Sequence, residues 1–407
     1  MKKMLNLVSL KDKIILYTQA IQNFIFNHRI LTSLFLIILL FTIHKRTFND
    51  DIYTDTPALE KETIINNYEF YRIQTLTYRT LESMTLEEKI GQLFMLSIPY
   101  NYLDNDAKSL ITEYYIGGIV LMGNNISSQQ QISEFSIELQ STAKIELFIA
   151  TDQEGGIIAR IPWDDARFIS QPHIGIVNRE DFAYSVGEDH ALALKNVNIN
   201  MNLAPVLDIS FIPESSMATR TLGASSAKVS VLGVQIIKAQ NDNGIVTTAK
   251  HFPGIGRSST DSHSELPKID ISKDQLLNEE LKPFISAIEN DVDFIMIGHA
   301  LYPQIDSEFP SSLSNIIVTD ILRNELNFEG IIITDDIHMG ALDRYDDRAV
   351  NAFNAGCDMI LIVESFENQL SYIEEIENAV NDGIISEERL NQSVKRILEL
   401  KYRKVIH

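Results

Sequence analysis

The chain has 407 residues, 45% of them hydrophobic and 22% charged, with a formal net charge of −22. That length suits one α/β barrel domain with extensions. The acidic balance argues against nucleic acid as a partner, because neutralising phosphates needs a basic face, and the single cysteine, Cys357, excludes an internal disulfide and a cysteine-based metal site.

The first predicted element is the uncharged run Ile30–Ile43, ILTSLFLIILLFTI, flanked by His28 and Arg29 before it and by His44, Lys45 and Arg46 after it. At ~1.5 Å per residue the run falls short of a ~30 Å hydrocarbon core. Snorkelling by Arg29, Lys45 and Arg46, together with Phe24-Ile25-Phe26, covers the deficit. No Ala-x-Ala cleavage site follows, and no cysteine is available for lipidation. Residues 30–46 therefore read as an uncleaved transmembrane anchor. Lys2, Lys3, Lys11, Lys13 and Arg29 precede the run, and Asp50, Asp51 and Asp55 follow it. This bias places residues 1–29 in the cytoplasm and the remainder outside, periplasmic or extracellular. A cytoplasmic catalytic domain is the alternative.

Residues 47–80 read as a linker running into a helix, and Thr85-Leu86-Glu87-Glu88 has the pattern of a capping box. From there strands and helices alternate. The predicted strands are Gln92–Ser97, Gly118–Met122, Leu147–Asp152, Asn200–Leu207, Val246–His251, Phe294–Ala300, Ile331–Asp335 and Met359–Val363. Helical stretches include Gln129–Ala143, Ala183–Lys195, Ala227–Asn241, Lys273–Glu289 and Val318–Leu326, with Ser386–Tyr402 closing the chain. This alternation predicts a (β/α)8 TIM-type barrel over residues 81–403, a single catalytic domain. A doubly wound sheet would have to leave its many buried strands open. Cys357, in GCDMILIV, reads as a small core residue.

Polar groups recur where these strands end: Asp152-Gln153-Glu154, Asp208, Lys250-His251, His299 and Asp335-Asp336. In a barrel all strand C-termini open on one face, which holds the active site. In TDQEGG, Thr151 to Gly156, the glycine pair admits close approach of backbone to a ligand. Asp152 and Arg160 there suit sugar hydroxyls or a ligand carbonyl, and a plain loop ion pair explains them equally well. In KHFPGIGRSSTDSH, Lys250 to His263, Asp261 stands beside His263, so a carboxylate orients an imidazole for proton transfer. His251, His263 and His299 with nearby aspartates also admit a metal, but no HExxH or cysteine-ligand spacing is present. In ITDDIHMG, Ile333 to Gly340, a carboxylate at the barrel mouth suits attack on an acetal carbon, where the transition state is cationic. Neighbouring strand residues point to opposite faces. The pattern leaves open which of Asp335 and Asp336 faces the cavity.

Together KHFPG…DSH, DQEGG, NLAPVLD and TDD-x-x-M-G resemble glycoside hydrolase family 3, in its β-N-acetylglucosaminidase branch, over about Leu81 to Leu398. The resemblance implies retaining, two-step hydrolysis on a (β/α)8 barrel, without cofactor or metal. By motif position it implies Asp335 as nucleophile, His263 as acid/base and Asp261 as the residue that orients His263. Asp152, Arg160, Arg220 (in ATRTLG), Lys250 and His251 match substrate-binding positions. The implied substrate is a terminal, non-reducing β-linked N-acetylglucosamine, typically on a peptidoglycan fragment or muropeptide. The chain departs from the family pattern at Ile255, where KHFPGHG has a second histidine, and at Ile157, where an arginine usually follows DQEGG. Alternatives are a phosphorylase, because a histidine donor lets an anionic phosphate approach, and a non-catalytic, membrane-tethered sugar-binding protein.

Overall fold

The computed structural model describes residues 58–406 except Ser216, with side chains from residue 67 onward. The predicted segments 1–29 and 30–46 lie outside the described residues. Among the described residues, no helix is long and apolar enough to cross a membrane.

Eight parallel strands stand side by side in chain order: β1 Phe94–Ser97, β2 Gly118–Val120, β3 Phe148–Thr151, β4 Met201–Asn202, β5 Val246–Phe252, β6 Phe294–Ile297, β7 Ile331–Thr334 and β8 Ile360–Ile362. Each is short and buried along its whole length, as expected of parallel strands covered on both faces. β8 pairs with β1, which makes the order circular. The predicted (β/α)8 barrel is therefore what the chain forms. β4 is shorter than the predicted Asn200–Leu207. Pro205, which has no N–H to give a ladder, interrupts it, and the chain rejoins β5 through the Leu207 amide on Lys250 O at 2.6 Å.

The seam between β7 and β8 has one backbone bridge, Ile333 to Met359. Side-chain oxygens complete it. Asp358 Oδ2 accepts from the Ile332 amide at 3.1 Å, Thr334 Oγ1 from the Leu361 amide at 3.1 Å, and Asp336 Oδ1 from the Val363 amide at 3.0 Å. Main chain crosses the same seam, from the Asp358 and Met359 amides to Ile332 O at 2.7 and 3.0 Å, from the Thr334 amide to Met359 O at 3.2 Å and from the Ile337 amide to Leu361 O at 3.0 Å.

Helices pack outside the strands. The Thr85 capping box forms in both directions, Glu88 N to Thr85 Oγ1 at 3.3 Å and Thr85 N to Glu88 Oε2 at 3.1 Å. The predicted Lys273–Glu289 helix is two helices, Lys273–Asn278 and Lys282–Ile288. Pro283 sits in the first turn of the second, where its missing N–H is tolerated, but it cannot continue the first. The predicted Val318–Leu326 helix is Ile316–Glu325, with a wide, π-type turn. Residues from Ala58 to Ser83, most of the stretch read as a linker, are helical. Thr80 Oγ1 lies 2.5 Å from Tyr402 OH, which ties that helix to the last one, Glu387–Lys404.

Charged groups at the strand N-termini are matched in pairs. Asp358 meets Arg323 at 2.6 Å and Arg396 at 3.0 Å, and Asp293 meets Lys404 at 2.6 Å. Lys401 is fully buried, with Nζ 2.7 Å from Gln92 Oε1 and 5.1 Å from the Phe148 ring centroid.

Candidate active site

Every side chain that the sequence singles out as catalytic or substrate-binding lines one cavity of about 390 Å³ at the C-terminal ends of the strands. The cavity has a floor of paired charges, a carboxylate just after β7 and an imidazole on a loop.

The floor is built on β3 and β5. Lys250 Nζ lies 2.6 Å from Asp152 Oδ1 and 2.7 Å from Glu154 Oε1. Arg220 grips the same Glu154 with Nε at 3.0 Å and Nη2 at 2.7 Å. Burial alone would raise the Glu154 pKa, but the charges and hydrogen bonds of Lys250 and Arg220 outweigh it and hold the carboxyl at about 2. Burial likewise opposes the charge on Lys250, yet Asp152 and Glu154 raise its pKa. Glu154 is thus the anchor of both cations. Sequence reading saw it only as part of a polar strand end. The signal was its spacing, because residues two apart on an extended segment share a face.

The β5–β6 ladder shifts register between Lys250 and Phe252, and both Lys250 and His251 reach the cavity. His251 Nδ1 donates to Asp208 Oδ2 at 2.7 Å, and its Nε2 stands 3.5 Å from Arg220 Nη2. The buried Asp208 also takes the His251 amide at 3.1 Å and, through Oδ1, the Ile255 amide at 2.7 Å. It therefore fixes both the imidazole and the turn after it. Its sequence signal was a charged residue closing the apolar run NLAPVLD.

Asp335 follows β7, and its amide donates to Ile297 O at 2.9 Å. Burial pushes its pKa up, but the adjoining His251, the Asp336 amide and the Lys250 ammonium pull it below the ordinary value. Asp336 has another task. Its Oδ1 accepts the Val363 amide at 3.0 Å and the His338 amide at 3.1 Å, and burial raises its pKa to about 6. Both aspartates line the cavity, but Asp335 Oδ1 accepts one amide, that of Asp336 at 2.9 Å, whereas Asp336 Oδ1 accepts two. His299 donates from Nε2 to Asp336 O at 2.9 Å and accepts from Ser312 Oγ at 2.7 Å, so both ring nitrogens are satisfied.

The third part is the loop after β5. His263 Nδ1 donates to Asp261 Oδ1 at 2.7 Å, and the His263 amide reaches the same oxygen at 3.0 Å. That amide is the main reason the Asp261 pKa is lowered. The dyad is open to solvent, 69% exposed at His263 and 57% at Asp261. With Nδ1 occupied, Nε2 is the nitrogen available to exchange a proton.

Arg160 follows the small hairpin Gln153–Gly155/Ile158–Ala159, whose turn uses Gly155 and Gly156 at φ 85° and 68°. Its Nε is buried in the cavity wall without a hydrogen-bond partner among the described residues. Ile255, the departure within KHFPG, is buried against the cavity, whereas Ile157 stands exposed at the hairpin. Among the described residues no group of three or more His, Cys, Asp or Glu is arranged to hold a metal ion.

A (β/α)8 barrel with carboxylates, a dyad and a floor of paired charges at its mouth is the framework of a carbohydrate-active hydrolase. The chain belongs to glycoside hydrolase family 3, because residues 85–400 match the family's N-terminal domain. It is similar to β-hexosaminidase A of Pseudoalteromonas piscicida, 29% identical over 365 residues, covering 78% of this chain and 61% of that protein. An uncharacterized secreted glycosyl hydrolase of Arthroderma benhamiae is 33% identical over 338 residues, covering 79% of this chain and 94% of that one. Among solved structures, a glycoside hydrolase family 3 β-N-acetylglucosaminidase from a Paenibacillus species superposes with a TM-score of 0.75 at 35% identity, covering 79% of this chain and 63% of that one. The chain thus spans less than two thirds of the Pseudoalteromonas and Paenibacillus proteins.

Proposed function

We propose that this chain is a retaining exo-β-N-acetylglucosaminidase, a β-N-acetylhexosaminidase that removes terminal N-acetylglucosamine from β-linked glycans such as peptidoglycan fragments. The observation that carries the reading is the convergence of Asp335, kept anionic, with the Asp261–His263 dyad in one cavity. In the first step an Asp335 carboxylate oxygen bonds to the anomeric carbon. The glycosidic C–O bond breaks, and the leaving oxygen takes the proton from His263 Nε2. In the second step His263 takes a proton from water as its oxygen attacks the anomeric carbon, and Asp335 departs as carboxylate. Asp261 holds the ring and stabilises the imidazolium. Asp152, Arg160, Arg220, Lys250 and His251 grip the sugar, and the unpartnered Arg160 Nε is a donor awaiting a ligand oxygen. A histidine donor also keeps a second anion away from Asp335 and from an anionic muropeptide.

The test is a panel of aryl glycosides, with the anomer of the first product read by NMR. The reading requires cleavage of the aryl β-N-acetylglucosaminide, much slower cleavage of the β-glucoside, and a β-anomer first. An α-anomer, or no preference for the acetamido sugar, overturns it. The imidazole donor also favours a second reading, a phosphorylase. Added phosphate would then yield N-acetylglucosamine 1-phosphate. The apolar run Ile30–Ile43 supports anchoring to a membrane with the barrel outside; digestion of the barrel by protease added to intact cells tests that placement, and full protection overturns it.

A further inference from the structure

The loop that leaves β1 is held with unusual completeness. Its successive carbonyls each accept a hydrogen bond from a side-chain amide. Asn125 Nδ2 reaches Ile98 O at 2.9 Å and Tyr100 O at 2.7 Å, Asn124 Nδ2 reaches Pro99 O at 2.9 Å, and Gln131 Nε2 reaches Asn101 O at 2.7 Å. Asn125 is fully buried, and its Oδ1 accepts the Met122 amide at 2.7 Å. Met122 lines the cavity. The bracket therefore joins the β1 loop directly to the cavity wall.

What this bracket holds is a pair of aromatic rings. Tyr100 and Tyr102 stack with centroids 5.1 Å apart and planes 14° from parallel. They stay 48% and 55% exposed, so each shields one face of the other and leaves an outer face to water. Neither ring belongs to the core, and the loop needs neither to keep its backbone bonds. A rigid, exposed aromatic surface on a loop at an active-site rim marks a binding surface.

We propose that Tyr100 and Tyr102 form a platform for a second sugar ring of the substrate, beyond the one in the cavity. This inference rests on the glycosidase reading. A β-linked pyranose carries its polar groups around its edge and turns C–H bonds to its faces. Such a face stacks on an aromatic face, while the edge stays solvated or meets the phenolic hydroxyls. The bracket pre-orders the rings, so little freedom is lost when the sugar arrives.

The test compares methyl β-N-acetylglucosaminide, whose aglycone is too small to cover an aromatic platform, with a β-1,4-linked N-acetylglucosamine trimer. In the Tyr100→Ala/Tyr102→Ala double variant, kcat/KM for the trimer should fall roughly three- to tenfold while the methyl glycoside is unchanged. Tyr→Phe at both positions should retain most of the trimer activity. An unchanged ratio of trimer to methyl glycoside activity overturns the platform. If the wild-type protein cleaves neither substrate, it is the glycosidase reading that fails. The platform is then read by binding alone. Tyrosine ring NMR signals that move with the trimer in the Asp335→Asn protein, and binding that weakens in the double tyrosine variant, support it; rings that do not move overturn it.

Discussion

The amide of Gly340 donates to the carbonyl oxygen of His263 at 3.2 Å, and the Ala341 amide does the same to Ser262 at 3.1 Å. The loop carrying the dyad is thereby docked, through main chain, on the loop that follows Asp335. The proposed proton donor and nucleophile follow different strands, and this contact sets one against the other. A methyl group at position 340 would lie 2.9 Å from His263 O and 3.0 Å from Ser264 O, too close for the loop to stay.

Gly340→Ala is therefore expected to lift the dyad. Proton donation matters most when the leaving group is poor. Activity on alkyl or oligosaccharide substrates should fall by about tenfold or more, and on activated aryl glycosides by much less. A leaving-group series measures this, and equal losses across it would show that the docking contact plays no part.

Asp335→Ala should abolish turnover of every substrate. His263→Ala should spare activated substrates and cost roughly 10²–10⁴-fold on poor ones, the range of general acid catalysis. Because the Asp335 pKa is lowered, the acid limb of the kcat/KM profile should lie below the ordinary range of an aspartate. A limb at ordinary or higher pH would contradict the charge balance around Asp335.

Glu154→Gln removes the shared partner of Lys250 and Arg220. Breaking a buried ion pair from one side costs about 3–5 kcal/mol, and the sugar clamp should loosen with it. A lower Tm and a raised KM are both expected. Glu154 has its pKa lowered from 4.5 to about 2, so its stabilisation is fully present above pH 4.5 and is lost as pH falls towards 2. The wild-type minus variant stability difference, measured by urea unfolding across that range, tests the sign.

Lys401 acts in the same sense, in a higher pH window. Burial, with Glu146 opposing, lowers its pKa from 10.5 to about 7. Between those values the unfolded chain binds more protons, so the contribution of Lys401 to stability rises with pH. Lys401→Met should flatten that rise and stabilise the protein below pH 7 by roughly 1–3 kcal/mol, less the cost of leaving Gln92 Oε1 without a donor. Urea midpoints at low and high pH decide it.

Much of this was legible in the sequence. A run such as Ile331–Thr334, buried throughout, is too short and too β-branched to be anything but an inner strand. The titratable groups at such strand ends have no core to join, which made Lys250, His251 and Asp335 stand out. Glu154 and Asp208 were visible only as polar residues. Their importance lies in what they hold across the barrel, and one-dimensional spacing does not reveal that. The helix from Ala58 to Ser83 was hidden for a related reason. Its composition is polar and lacks an apolar stripe, so its contacts with the last helix, Gln74 to Glu399 at 2.7 Å among them, carry information that its own sequence does not.

The seam between β7 and β8 gives the tripeptide Thr334-Asp335-Asp336 a second meaning. Thr334 and Asp336 each bind an amide of the β8 segment, at Leu361 and Val363, and Asp335 stands between them. The carboxylate proposed to react is thus mounted between two rivets that help to close the wall of the vessel. Damage to either rivet would register in an assay as a failed catalyst, although the fault would lie in the joinery.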